Sequence, residues 1–197
     1  TEPMPAFLYW KARRTLTAIA AVVILLTSLL TWYSFGATRY DSPDETANAY
    51  FTQRVIEGKG LRVCEPPYSI VEDAPHPRST AIRNGCLVPG SFLGQDLFYG
   101  IFGLILGNWV VPLLSSLLTI AALVGLFDVF RRVMGKRRAV FGVVLAGVQP
   151  AFLLFASRPY YHNILFLDFL IFALASLFRA VAKNDLRWYG LSGFFVG

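Results

Sequence analysis

The sequence predicts an all-α, polytopic transmembrane helical protein with a large external loop carrying juxtamembrane amphipathic helices. Three observations carry that prediction. The chain is 55% hydrophobic with a mean hydropathy of +0.53, too apolar for an ordinary soluble domain. Its apolar runs approach the roughly 20 residues that a helix needs to cross a bilayer. Its basic residues sit at the ends of those runs rather than in a stripe, which matches membrane topology and argues against nucleic acid as a partner. We treat residues 1–197 as a single membrane domain.

The first span is expected at residues 16–36. Lys11, Arg13 and Arg14 precede it, and Trp32 and Tyr33 stand at its far end as interface anchors. The run is too long for the apolar region of a cleaved signal peptide. Residues 37–97 then form an external loop, polar and rich in Pro and Gly. Within it, a juxtamembrane helix is expected at residues 43–57. Ser42 is its N-cap, Pro43 takes the first helical position, and Glu45 completes a Ser-x-x-Glu capping box. Ala47, Tyr50, Phe51 and Val55 recur at helical spacing, and Gly58 is a natural stop. Cys64 and Cys86 share this loop, so a disulfide between them is expected in an oxidising compartment.

Residues 97–106 form an interfacial or re-entrant segment, ended by Gly107, Asn108 and Pro112. The second span comes next, at residues 109–130. Asp128 lies one turn from Arg131 and Arg132, the spacing of an ion pair. The run RRVMGKRR is a positive-inside loop. The third span is expected at residues 139–156 with Pro150 inside it, the fourth at 164–182 after the turn SRPYYHN. A truncated fifth begins at 188–197, so the chain reads as a fragment of a longer membrane protein. Alternating basic ends place the N-terminus in the cytoplasm and the loop on the periplasmic or extracellular side of the cytoplasmic membrane.

The external side gathers the chemistry. Asp41, Asp44 and Glu45 crowd the head of the juxtamembrane helix. Carboxylates there can serve as a general base, or Asp41 and Asp44 can hold a divalent cation such as Mg or Mn. Acids in a first turn also simply complement the helix dipole. Arg78, Arg83 and Arg158 suit a lipid phosphate, because guanidinium matches phosphate geometry; each also suits a snorkelling role at headgroup level. His76 and His162 can bind phosphate or act as bases. Asp168 lies inside the fourth span, where an acid is a functional hypothesis by default. We group these arginines, histidines and Asp168 as substrate-binding candidates.

The order of these features resembles the GT-C superfamily of polyprenyl-phosphate-sugar-dependent glycosyltransferases, and within it the protein mannosyltransferases and lipid A aminoarabinose transferases. Asp44-Glu45 matches their Asp-Glu motif, and ETANAYFTQRVIEGKG resembles the stretch that continues from it in those proteins. The later order is similar too: FYGIFGLILG, a span, a basic loop with Gly135, a span ending in an Ala-Ser-Arg turn, a span, then RWYGLSGFFVG. The chain departs at Asn163, where the family often has an acid. It also departs in the external loop, where HPRS and Pro66-Pro67 stand in place of a Pro-Pro-Leu element.

The resemblance implies a sugar donor on polyprenyl phosphate, embedded among membrane lipids, and an acceptor hydroxyl on a protein, lipid or glycan. It implies inverting transfer with Asp44 as the base, Glu45 and Asp41 orienting it, and outer-face arginines on the leaving phosphate. The alternative is a non-catalytic membrane assembly or lipid-binding protein. A transporter is disfavoured, since the spans hold few polar residues and show no inverted repeat.

Overall fold

Helix α1, Pro43–Ile56, begins where Ser42 turns the chain. The Ser42 hydroxyl accepts from the Glu45 backbone N–H at 3.1 Å, and Pro43 occupies the first turn without losing a hydrogen bond. The reciprocal arm differs from the expected capping box. Glu45 Oε2 accepts from the backbone N–H of Asp41, at 3.1 Å, one residue ahead of the cap. In the computed structural model, residues 40–66, 68, 78–90 and 92–197 are described. The span expected at residues 16–36 lies outside them, as does His76.

The buried face of α1 is not the one that apolar periodicity selects. Ala47 and Phe51 are buried, but Tyr50 is 44% exposed, and Glu45, Asn48 and Thr52 are buried instead. Two neighbours cause this: helix α2, Leu93–Leu106, packs against α1 and brings Asp96 to Thr52, and the turn at residues 158–160 meets Glu45 and Asn48. The two helices approach closely at glycines. A Cβ on Gly100 would meet the Val55 side chain at 2.5 Å, and one on Gly103 would meet Ile56 at 2.5 Å. Helix α2 begins at Leu93 rather than at residue 97.

Between α1 and α2 the all-α expectation gives way. Strands β1, Thr80–Arg83, and β2, Cys86–Pro89, pair antiparallel with Arg83 opposite Cys86. The turn is Asn84-Gly85, both residues at positive φ (53° and 71°), as a tight hairpin requires. Backbone bonds between Val63 and Leu87 tie the hairpin to the chain leaving α1. Phe51, Val63 and Leu87 form a small core beneath it.

Cys64 and Cys86 are joined as a disulfide across 22 residues. Closing a loop of that length removes unfolded-state entropy equivalent to about 3 kcal/mol. Reduction, or the paired change Cys64→Ser with Cys86→Ser, is therefore expected to lower the melting temperature of the purified protein. An unchanged melt would show that the Val63–Leu87 pairing holds the hairpin alone.

Helices α3, Val110–Met134, and α6, His162–Lys183, are long and apolar enough to cross a membrane, and they pack against each other. Helix α3 runs a turn beyond the expected residue 130. Arg131 and Arg132 continue it because both fold back on Asp128, at 2.7 and 3.2 Å. Arg179 of α6 reaches the same carboxylate at 2.8 Å and ties the two helix ends together.

The span expected at residues 139–156 is not one straight helix. Helices α4, Lys136–Gly147, and α5, Pro150–Ala156, meet at 66°. Pro150 has no N–H to continue the ladder and holds Gln149 extended (φ −62°, ψ 129°). Helix α6 ends at Asn184 in the left-handed conformation. Asp185 then caps α7, Leu186–Val196, which packs back on α6.

Candidate functional site

The site forms where the head of α1 meets the turn between α5 and α6. Arg158, in that turn, is the centre. Its Nε donates to Glu45 Oε1 at 2.9 Å, and its Nη1 donates to Asp41 Oδ2. The Arg158 side chain is 12% exposed and Glu45's only 3%, whereas that of Asp41 is 70% exposed. The guanidinium also lies 5.7 Å from the Tyr161 ring centre. A buried carboxylate and a buried guanidinium thus neutralise each other, as burial of either requires. Burial pushes the Glu45 carboxyl up to about 7; the guanidinium beside it opposes that rise.

Two buried amides fix the turn that carries Arg158. Asn48 Nδ2, on α1, donates to the Tyr160 carbonyl at 2.9 Å. Gln95 Nε2, on α2, donates to the Pro159 carbonyl at 3.1 Å. Tyr160 packs edge-on against Tyr40, with centroids 5.7 Å apart. Two separate stretches of chain, residues 40–48 and α2, therefore set where the guanidinium points.

Asp44 stands apart from that pair. The Ser79 hydroxyl donates to its Oδ1, and Arg78 Nε lies 3.8 Å from the same oxygen. Asp44's side chain is 26% exposed and Arg78's 80%. Ser79 adopts φ 67°, a left-handed conformation uncommon for a residue with a side chain. The hairpin holds it there, since its carbonyl accepts from Gly90 N–H at 2.8 Å. His162, the first residue of α6, lies in the field of the Asp44 carboxylate and stacks on Phe92 with ring centroids 3.3 Å apart.

The expected residues divide accordingly. Asp41, Glu45 and Arg158 form one connected group; Asp44, Arg78 and His162 form its neighbour. Arg83 stands exposed at the hairpin tip, opposite Cys86. Asp168 belongs to the helix interior: it is 1% exposed and accepts from Thr119 on α3 at 3.0 Å. It falls there because helical spacing turns it toward α3 rather than toward the membrane face. Asp41 and Asp44, the expected metal pair, have separate protein partners: Arg158 donates to Asp41 and Ser79 donates to Asp44. Among the described residues no group of three or more His, Cys, Asp or Glu gathers to hold a metal ion. Sequence reasoning missed Ser79, Asn48 and Gln95. Ser79's only signal was its place just before a strand pair marked by Asn-Gly.

The family model for dolichyl-phosphate-mannose-protein mannosyltransferases matches residues 88–197, more than half of the chain. This chain belongs to that family. No curated protein and no solved structure matches it. Dolichyl-phosphate-mannose-protein mannosyltransferases are membrane glycosyltransferases of the GT-C type, and the family implies a polyprenyl-phosphate-linked sugar donor among membrane lipids. The apolar helices α3 and α6 agree with integration in a membrane. The match to the mannosyltransferase family takes in the end of β2 and all the helices from α2 onward, including Arg158 and His162. The acids of α1 precede it.

Proposed function

We propose that this chain moves a sugar from a polyprenyl-phosphate donor to an acceptor hydroxyl at the outer face of the membrane, with inversion at the anomeric carbon. Asp44 takes the proton from the acceptor oxygen as that oxygen bonds to the anomeric carbon. The bond from the anomeric carbon to the phosphate oxygen breaks on the opposite side. The lipid phosphate leaves with the electron pair, met by Arg78. Glu45 and Asp41 hold Arg158, which fixes the wall of the site rather than contacting the phosphate.

One observation carries this reading. Of the three acids, Asp44 alone is both oriented by a neighbour and left free of Arg158. A general base needs that combination of fixed geometry and access. Asp41 is exposed but engaged by Arg158, and Glu45 is buried under it. Alternating basic ends support an outward site with the N-terminus inside.

The test is transfer by the full-length protein in lipid vesicles, supplied with polyprenyl-phosphate sugars and a mixture of peptide, lipid and glycan acceptors. Mass spectrometry is expected to show a sugar added to one acceptor class, with inverted configuration by NMR. Retained configuration would refute the single displacement. Absence of transfer from every polyprenyl-phosphate sugar would refute the reading.

A further inference from the structure

We propose that Asp168 is the anchor of a monovalent-cation site inside the helix bundle, completed by the hydroxyls of Thr119, Ser115 and Tyr99. Three helices supply it: α2 gives Tyr99, α3 gives Ser115 and Thr119, and α6 gives Asp168. Tyr99, Ser115 and Thr119 are wholly buried and Asp168 is 1% exposed. Thr119 donates to Asp168 Oδ2 at 3.0 Å, which leaves Oδ1 without a hydrogen bond. The Tyr99 and Ser115 hydroxyls lie side by side, the Asp168 charge acts on Tyr99, and neither hydroxyl has a hydrogen-bond partner outside that pair.

Buried polar atoms without partners call for a ligand or water, because each lost bond is costly away from solvent. Charge decides between them. The other acid of α3 and α6, Asp128, meets three arginines, and Asp96 of α2 accepts from Thr52. Among the described residues no basic side chain forms an ion pair with Asp168; its one protein partner is a neutral hydroxyl. Water would satisfy hydrogen bonds but supply no charge, whereas a cation coordinates the oxygen lone pairs and balances the carboxylate. The donors are one carboxylate and neutral oxygens, with no nitrogen or sulfur. That set suits a hard cation, and a single acid balances one positive charge. Bound there, the ion would brace α2, α3 and α6 behind the site wall, independently of the transfer reaction.

The experiment is thermal unfolding of the full-length protein in detergent, in sodium, lithium, potassium or choline chloride at one ionic strength. Saturating sodium is expected to raise the melting temperature over choline by roughly 5 °C. The rise should vanish in Asp168→Asn, and Thr119→Val should need several-fold more sodium for the same rise. If Asp168→Asn does not accumulate, Thr119→Val and Ser115→Ala carry the comparison. Identical melting of the wild type in sodium, lithium, potassium and choline would overturn the site, as expected if Asp168 holds only a proton. An equal sodium response in wild type and the variants would overturn it too.

Discussion

Asp44→Asn is expected to lower the turnover of glycosyl transfer by roughly 10²–10⁴-fold, the usual contribution of a general base. The substitution preserves shape and can still accept from Ser79. It removes the charge that would take the acceptor proton. The protein should insert and melt as the wild type does, because Asp44 is partly exposed and carries no buried pair. Donor affinity should change little, since proton transfer occurs in the transition state and not on binding. The measurement is turnover against donor concentration, normalised to folded protein. Wild-type turnover in Asp44→Asn would return the acidic head of α1 to a helix-dipole role.

Arg158→Ala is expected to destabilise the protein by about 3–5 kcal/mol, the effect of stranding one member of a buried ion pair. Glu45 would keep its burial and its bond to the Asp41 N–H but lose its counter-charge. Arg158→Lys should recover part of the loss, because one ammonium cannot bridge two carboxylates as the fork does.

The pH dependence of stability centres on Glu45. Burial raises its carboxyl from the ordinary 4.5 to about 7. A raised carboxyl favours the protonated folded state. Its contribution to stability is complete below about 4.5 and is lost as pH climbs through about 7. The wild-type melting temperature should therefore fall across that window and then level. Without the guanidinium the carboxyl rises further, so the fall in Arg158→Ala should continue above the wild-type plateau. Parallel melting curves from pH 5 to pH 9 would show that Arg158 does not act through Glu45.

The membrane helices were legible because their signal is local and redundant. Apolar runs and flanking basic residues each point to α3 and α6. Ser42, Pro43 and Glu45 marked the start of α1 for the same reason. Asn84-Gly85 also spelled a hairpin, but the four-residue strands around it are too short to show alternation, and they read as loop. Pro150 was visible inside an apolar run. A proline there suits a kink or a full break, and only the packing of α4 and α5 decides for 66°. Glu45's partner could not be read at all. Helix capping accounted for the acid locally, while Arg158 stands 113 residues away.

That separation bears on when the site is assembled. The bonds from Arg158 to Glu45 and from Asn48 to the Tyr160 carbonyl span 113 and 112 residues. A chain emerging from the ribosome makes α1 first and the Arg158 turn much later, after α3, α4 and α5 have been synthesised. Until then Glu45 has no counter-ion, and the face of α1 that will be buried remains polar and wet. Contacts of such long range are the slowest to close. The acidic head is thus made early and completed late, so a half-synthesised chain carries its acids without the geometry that directs them.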